Sequence, residues 1–223
     1  NDNNLTIKCY KNSTAHKYAL DNKIKCDPTL GNSSGNTVTA NAVKGLKIGG
    51  RASNALRLNW NSDSSVKGYV IEQYRGGKWV RIARLDNNKT NTYRIAGLAA
   101  SSTYKFRVKT FVFSGKKAVY SQYAYINGKT NPRNITGLRI GGTAKDALRL
   151  KWNRNSGASG YIVERYNGKK WVKVKKITSN KTTTLRIKKL ASKKNYKFRV
   201  KAYSFDGNTP LYSGYSYISG TTK

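Results

Sequence analysis

The chain has 223 residues and carries 44 Lys and Arg against 9 Asp and Glu, a formal charge of +35 at pH 7. Apolar residues make up 37% and aromatic residues 11%, with 16 Tyr and 4 Trp; a disordered basic tail lacks such aromatics, so the chain can bury a core if its charges stay outside. No run approaches the roughly 18 apolar residues of a membrane span, so no membrane insertion is expected. One His and two Cys leave little room for a zinc site made of those ligands alone. With no Met and no apolar N-terminal segment, the chain reads as a processed product or an excised piece.

Residues 1–36 come first and differ from the rest. They are rich in Asn, Lys and Ser and show no clear period. Cys9 and Cys26 enclose the sole histidine, His16. In an oxidising compartment the two would pair, a closure worth about 3 kcal/mol in the chain-entropy model. The alternative is two free thiols in a loose arm. No metal site and no cofactor are expected.

From residue 43 the chain repeats itself at a shift of 92 residues, with 44 identities between 43–131 and 135–223. Gly45-Leu46-Lys47-Ile48-Gly49-Gly50 falls on Gly137-Leu138-Arg139-Ile140-Gly141-Gly142, and residues 104–109 fall unchanged on 196–201. Each copy reads as seven short strands, at about 43–48, 55–60, 67–74, 78–84, 91–96, 103–112 and 119–129, then the same plus 92. Leu56, Leu58 and Trp60 alternate with Arg57 and Asn59; Tyr104, Phe106 and Val108 alternate with Lys105, Arg107 and Lys109. Such alternation turns one face to the core and one to water. Asn167-Gly168 and Gly76-Gly77 read as two-residue hairpin turns. Gly49-Gly50 and Gly141-Gly142 read as turns after the first strand. Thr130-Asn131-Pro132-Arg133-Asn134 reads as a short, stiff joint.

These residues resemble the fibronectin type III family. The pattern is Trp60 in the second strand, Gly68-Tyr69 opening the third, and Leu98 six residues before Tyr104. It recurs as Trp152, Gly160-Tyr161, and Leu190 with Tyr196. The phrase Ser156-Gly157-Ala158-Ser159-Gly160-Tyr161 is similar to the variant of Gram-positive bacterial secreted and surface proteins. The resemblance implies an all-β chain: an irregular segment at 1–36, then two seven-stranded β-sandwiches at 37–130 and 131–223. It also implies sheets of strands A-B-E and C-C′-F-G, and a tyrosine corner in which Tyr104 and Tyr196 cap a loop backbone. Such modules act as spacers, adhesion modules or receptor-binding domains.

The charge lies on the repeats: +2 over residues 1–36, +14 over 37–130 and +19 over 131–223. On strand F the outward positions are Lys105, Arg107 and Lys109, then Lys197, Arg199 and Lys201. If the family register holds on strand G, Ile126 and Ile218 face the core. Tyr123, Tyr125, Tyr215 and Tyr217 then stand outside, beside those cations. The opposite sheet also carries cations: Lys47, Arg57 and Arg94, then Arg139, Arg149, Lys151, Arg186 and Lys188. One reading of the Tyr–Lys/Arg face is a binding site for an anionic polymer, with cations attracting it and rings stacking on it. The other is rings packed under lysine stems on a soluble surface. The charge favours binding, because a small domain needs a net charge of only about 2–8 for solubility. Reversing Lys197, Arg199 and Lys201 together would then remove polyanion binding and leave the fold intact. Glu72 and Glu164 read as local partners of these cations.

Catalysis is not expected. Each repeat has three acids, the only His lies outside the repeats, and no Gly-x-Ser-x-Gly or phosphate-binding loop occurs. The expected function is that of a non-catalytic, secreted or cell-wall-associated bacterial protein that binds an anionic glycan, a teichoic acid or a matrix polymer. A second reading is an irisin-like polypeptide ligand for a host cell-surface receptor. A third is nucleic-acid binding, which at this charge would be nonspecific.

Overall fold

The computed structural model describes residues 6–11, 13–27 and 38–223. The chain divides into two compact units, Asn1–Thr39 with Val112–Val119, and Ala40–Phe111 with Tyr120–Lys223. Within the first, β1 (Thr6–Lys8) and β2 (Lys25–Asp27) pair in parallel, with Ile7 opposite Cys26. Between them in sequence lies α1 (Thr14–Asp21). Ser13 caps it, its hydroxyl accepting from the His16 amide at 3.1 Å. A disulfide joins Cys9 to Cys26. The segment expected to be irregular therefore holds a helix and a ladder. Only Ala19 of the helix is buried, too narrow a stripe to show as a period. Residues 1–5, 12 and 28–37 of that segment lie outside the described residues.

The repeats form two antiparallel sandwiches. The first contains β3 (Lys47–Arg51), β4 (Ala55–Asn59), β5 (Gly68–Arg75), β6 (Lys78–Leu85), β7 (Thr92–Ala96), β8 (Thr103–Ser114), β9 (Lys117–Tyr120) and β10 (Ala124–Lys129). The second contains β11 (Arg139–Thr143), β12 (Leu148–Lys151), β13 (Gly160–Tyr166), β14 (Trp171–Ile177), β15 (Thr184–Ile187), β16 (Asn195–Asp206), β17 (Thr209–Tyr212) and β18 (Ser216–Thr221). One sheet of each has three strands, β3-β4-β7 and β11-β12-β15. The other is built on β10-β8-β5-β6, with β9 on β8, or on β14-β13-β16 with β17 and β18 on β16. These are the A-B-E and C-C′-F-G sheets of the sequence reading.

The alternating residues fill the core. Leu56, Leu58, Trp60, Phe106 and Val108 are buried, as are Leu148, Leu150, Trp152, Phe198 and Val200. Trp60 packs on Tyr69 at 5.2 Å between ring centroids, and Trp152 on Tyr161 at 5.4 Å. The Tyr161 hydroxyl accepts from the Asn155 amide at 2.9 Å and donates to the Asn180 carbonyl at 3.0 Å. A buried phenol thus keeps its polar tip satisfied.

Three local readings change. Gly49-Gly50 and Gly141-Gly142 are bulges inside the first strand, not turns after it. Ile48 pairs with Leu58 and Gly50 with Arg57, which leaves Gly49 as the extra residue. The last predicted strand divides into β9 and β10, because the Ser121 hydroxyl, not a strand carbonyl, accepts from the Thr110 amide at 3.0 Å. Ser213 does the same for Ala202 at 2.9 Å. The second hairpin centres on Gly168 and Lys169, one residue later than expected. Asn167 instead opens the turn, its side-chain oxygen accepting from the Lys169 and Lys170 amides.

The joint at 130–134 is tied down. Thr130 is buried, its hydroxyl donating to the Ala99 carbonyl at 2.7 Å. Arg51 pairs with Asp206 at 2.9 Å, and the Lys129 ammonium donates to the Phe205 carbonyl at 3.0 Å.

The tyrosine corners are present in both copies: the Tyr104 hydroxyl accepts from the Ala99 amide, and the Tyr196 hydroxyl from the Ala191 amide, each at 2.7 Å. Both bonds lie on exposed loops, so each is a net neutral hydrogen bond and not a buried one. Tyr196→Phe is expected to lower the stability of the second sandwich by about 1 kcal/mol. Urea unfolding checks this, and an unchanged midpoint would contradict it.

Candidate functional site

Strand register builds the outward face of the larger sheet. On β8, Phe106 and Val108 point inward, so Lys105, Arg107 and Lys109 point outward. Across the ladder, Arg107 faces Tyr125 of β10 on one side and Glu72 of β5 on the other. The second sandwich repeats this row with Arg199, Tyr217 and Glu164. A bulge next to each glutamate, between Ile71 and Glu72 and between Val163 and Glu164, shifts the register with the neighbouring strand.

The arginine is the hub of each face. Arg107 Nε donates to Glu72 Oε2 at 2.7 Å, and the Tyr123 hydroxyl donates to Glu72 Oε1 at 3.0 Å. The guanidinium lies 3.8 Å from the Tyr123 ring centroid and 4.5 Å from that of Trp79. Arg199 is held alike, at 2.6 Å from Glu164, 3.8 Å from Tyr215 and 4.6 Å from Trp171. Burial opposes the charge of Arg199, but the Glu164 hydrogen bond and the neighbouring Tyr215 and Glu164 outweigh it and raise the guanidinium pKa. The glutamates are therefore partners of these cations, as the sequence suggested. The arginines are neutralised within the fold.

The lysines are differently placed. Lys109 lies over Tyr120 at 4.1 Å and Tyr123 at 4.6 Å, and Lys201 over Tyr212 at 4.2 Å and Tyr215 at 4.7 Å. No carboxylate pairs with Lys105, Lys109, Lys197 or Lys201 among the described residues. Lys197 borders a shallow cleft with Trp171, Tyr217 and Ile218. Tyr125 and Tyr217 are each 63% exposed, while Tyr123 and Tyr215 are half-buried as the inner layer.

All ten candidate residues thus fall on the two faces, and the reading of rings packed under cations holds for the inner rings. Inner rings pack beneath cations, and outer rings are open to solvent. Sequence reasoning missed the tryptophans. Trp79 meets Tyr74 at 5.3 Å and Tyr125 at 5.8 Å, and Trp171 meets Tyr166 at 5.4 Å and Tyr217 at 5.7 Å. The usable signal was the recurrence of Lys78-Trp79-Val80 as Lys170-Trp171-Val172 at the 92-residue shift, on a strand whose remaining positions diverge. Chemically the face offers ammonium groups without carboxylate partners among the described residues, beside flat aromatic surfaces.

Comparison with known proteins gives the same architecture. The fibronectin type III domain matches residues 41–126 and 130–217. A two-domain fibronectin type III segment of chicken tenascin is similar at 15% identity and a TM-score of 0.46, covering 82% of this chain and all of that one. The FN1–FN3 domains of chicken CNTN1 are similar at 17% identity and a TM-score of 0.43, covering 83% of this chain and 69% of that one. Mouse receptor-type tyrosine-protein phosphatase eta is 22% identical over 148 residues, 61% of this chain but only 12% of the phosphatase.

Proposed function

Because the chain belongs to the fibronectin type III family, whose tandem domains are a module used for binding and typically a non-catalytic scaffold, we propose that it binds anionic extracellular polymers through its two Tyr–Lys faces. Lys105, Lys109, Lys197 and Lys201 attract the polymer. Tyr125 and Tyr217, braced by Trp79 and Trp171, give its sugar rings a flat surface. The carrying observation is that each face neutralises its arginine with a glutamate yet, among the described residues, leaves its lysines without a carboxylate partner, in both copies. The partners that fit are sulfated or uronic glycans and teichoic acids. The Cys9–Cys26 disulfide supports a secreted or wall-associated setting, and the Ser156–Tyr161 phrase supports a bacterial surface protein. Charge of this size also gives weak, salt-labile adsorption to nucleic acid.

The test is K105Q/K109Q/K197Q/K201Q on immobilised sulfated glycan and teichoic acid. We expect affinity at 0.15 M salt to fall by about ten-fold or more. Unchanged salt elution on both polymers overturns the proposal. Saturable, salt-resistant binding to one host cell type would instead identify a receptor ligand.

A further inference from the structure

We infer that the three-stranded sheet of each sandwich carries a separate oxyanion site, a cross-strand arginine pair that grips the sulfate or phosphate groups of a polymer. Arg57 of β4 stands directly opposite Arg94 of β7, and Arg149 of β12 directly opposite Arg186 of β15. All four side chains are exposed. None has a carboxylate within ion-pair distance among the described residues, in contrast to Arg107 and Arg199 on the other sheet. Like charges placed directly opposite one another destabilise a sheet. The fold keeps this arrangement twice while the neighbouring row changes from Lys47 opposite Asn59 to Arg139 opposite Lys151. An anion bound between the guanidinium groups removes that repulsion.

The surroundings leave room for one. Each pair borders a shallow depression lined by the glycine after the bulge, Gly50 or Gly142, and by small residues such as Ala55 or Ala147, with Arg51 also lining the first. The Arg57 side chain runs alongside Gly50, where a Cβ would make ordinary contact at 3.5 Å from Arg57 Cβ and 4.0 Å from its Cζ. Two planar guanidinium forks present paired N–H donors to a tetrahedral oxyanion, which a lysine ammonium does not match. The lysines of the opposite face are not involved, so this site stands or falls independently of that face.

The experiment uses R57K/R94K/R149K/R186K, which keeps the formal charge and removes the forks. The probes are a heparin oligosaccharide and poly(glycerol phosphate), titrated at 0.15 M salt, with K105Q/K109Q/K197Q/K201Q measured alongside. We expect the arginine-to-lysine variant to bind at least one probe about five-fold more weakly than wild type or worse. Weakening on heparin alone assigns sulfate, on poly(glycerol phosphate) alone assigns phosphate, and on both assigns the shared oxyanion chemistry. Unchanged affinity for both overturns the site, whatever the lysine variant does. A second measurement covers a variant that folds poorly: inorganic sulfate should raise the melting temperature of wild type more than that of R57K/R149K. Equal shifts would overturn the inference as well.

Discussion

Replacing Gly160 by alanine is expected to destabilise the second sandwich severely. A Cβ at this position would stand 1.9 Å from the Ile177 carbonyl oxygen and 2.9 Å from the Tyr203 hydroxyl. The carbonyl belongs to the backbone of β14, whose Ile177 pairs with Tyr161. It also accepts from the Tyr203 hydroxyl at 3.3 Å. Neither the strand nor the ring can withdraw without opening the sheet beside the buried Tyr161. Overpacking of this kind costs about 3 kcal/mol or more, a large share of the roughly 5–15 kcal/mol that holds a domain folded. Gly68 repeats the geometry at 1.9 Å from the Leu85 carbonyl. This is the physical content of the Gly-Tyr pair that opens the third strand. Denaturant unfolding of Gly160→Ala gives the answer, and a midpoint like that of wild type would contradict this account of the strand pairing.

The second large effect is expected at Arg199. Its side chain is 19% exposed and that of Glu164 15% exposed, with aromatic rings on both sides. Arg199→Glu would leave two carboxylates together in place of an ion pair, at a cost of about 3 kcal/mol. Removing both charges as Arg199→Met with Glu164→Gln should recover more than half of that loss, the signature of a coupled pair. Lys197→Glu, on the same strand but exposed, should change stability by less than about 0.5 kcal/mol. Thermal unfolding of the three variants distinguishes them. Equal stability of Arg199→Glu and Lys197→Glu would contradict the hub role. Reversing Lys197, Arg199 and Lys201 together therefore disturbs the fold as well as the charge, and the lysines alone are the fair probe of binding.

Much of the architecture was legible because two periods overlap in this chain. The alternation of Leu56, Leu58 and Trp60, repeated 92 residues later, fixes which face is buried. The same alternation places Lys105 and Tyr125 on one outer face. What stayed hidden depends on pairing between distant strands. Glu72 lies 35 residues from Arg107, and a bulge shifts the register beside it, so no local pattern shows that the arginine and not a lysine is neutralised. Trp79 meets Tyr125 only because the side chains of the edge strands β6 and β10 reach toward each other across β5 and β8. The bulge at Gly49 was read as a turn because paired glycines mark either, and only the Ile48–Leu58 and Gly50–Arg57 pairings decide. The helix at 14–21 escaped because a disulfide, not an apolar stripe, closes its segment.

The most direct test of the central claim is to map backbone amide shifts while a sulfated oligosaccharide is titrated into the intact chain. The account predicts perturbations along β8 and β10, around Lys105 to Lys109 and Tyr125, and along β16 and β18 around Lys197 to Lys201 and Tyr217. Perturbations confined to β4, β7, β12 and β15 would contradict the Tyr–Lys faces and leave the arginine pairs as the binding surface. Saturable binding that perturbs neither sheet would contradict both.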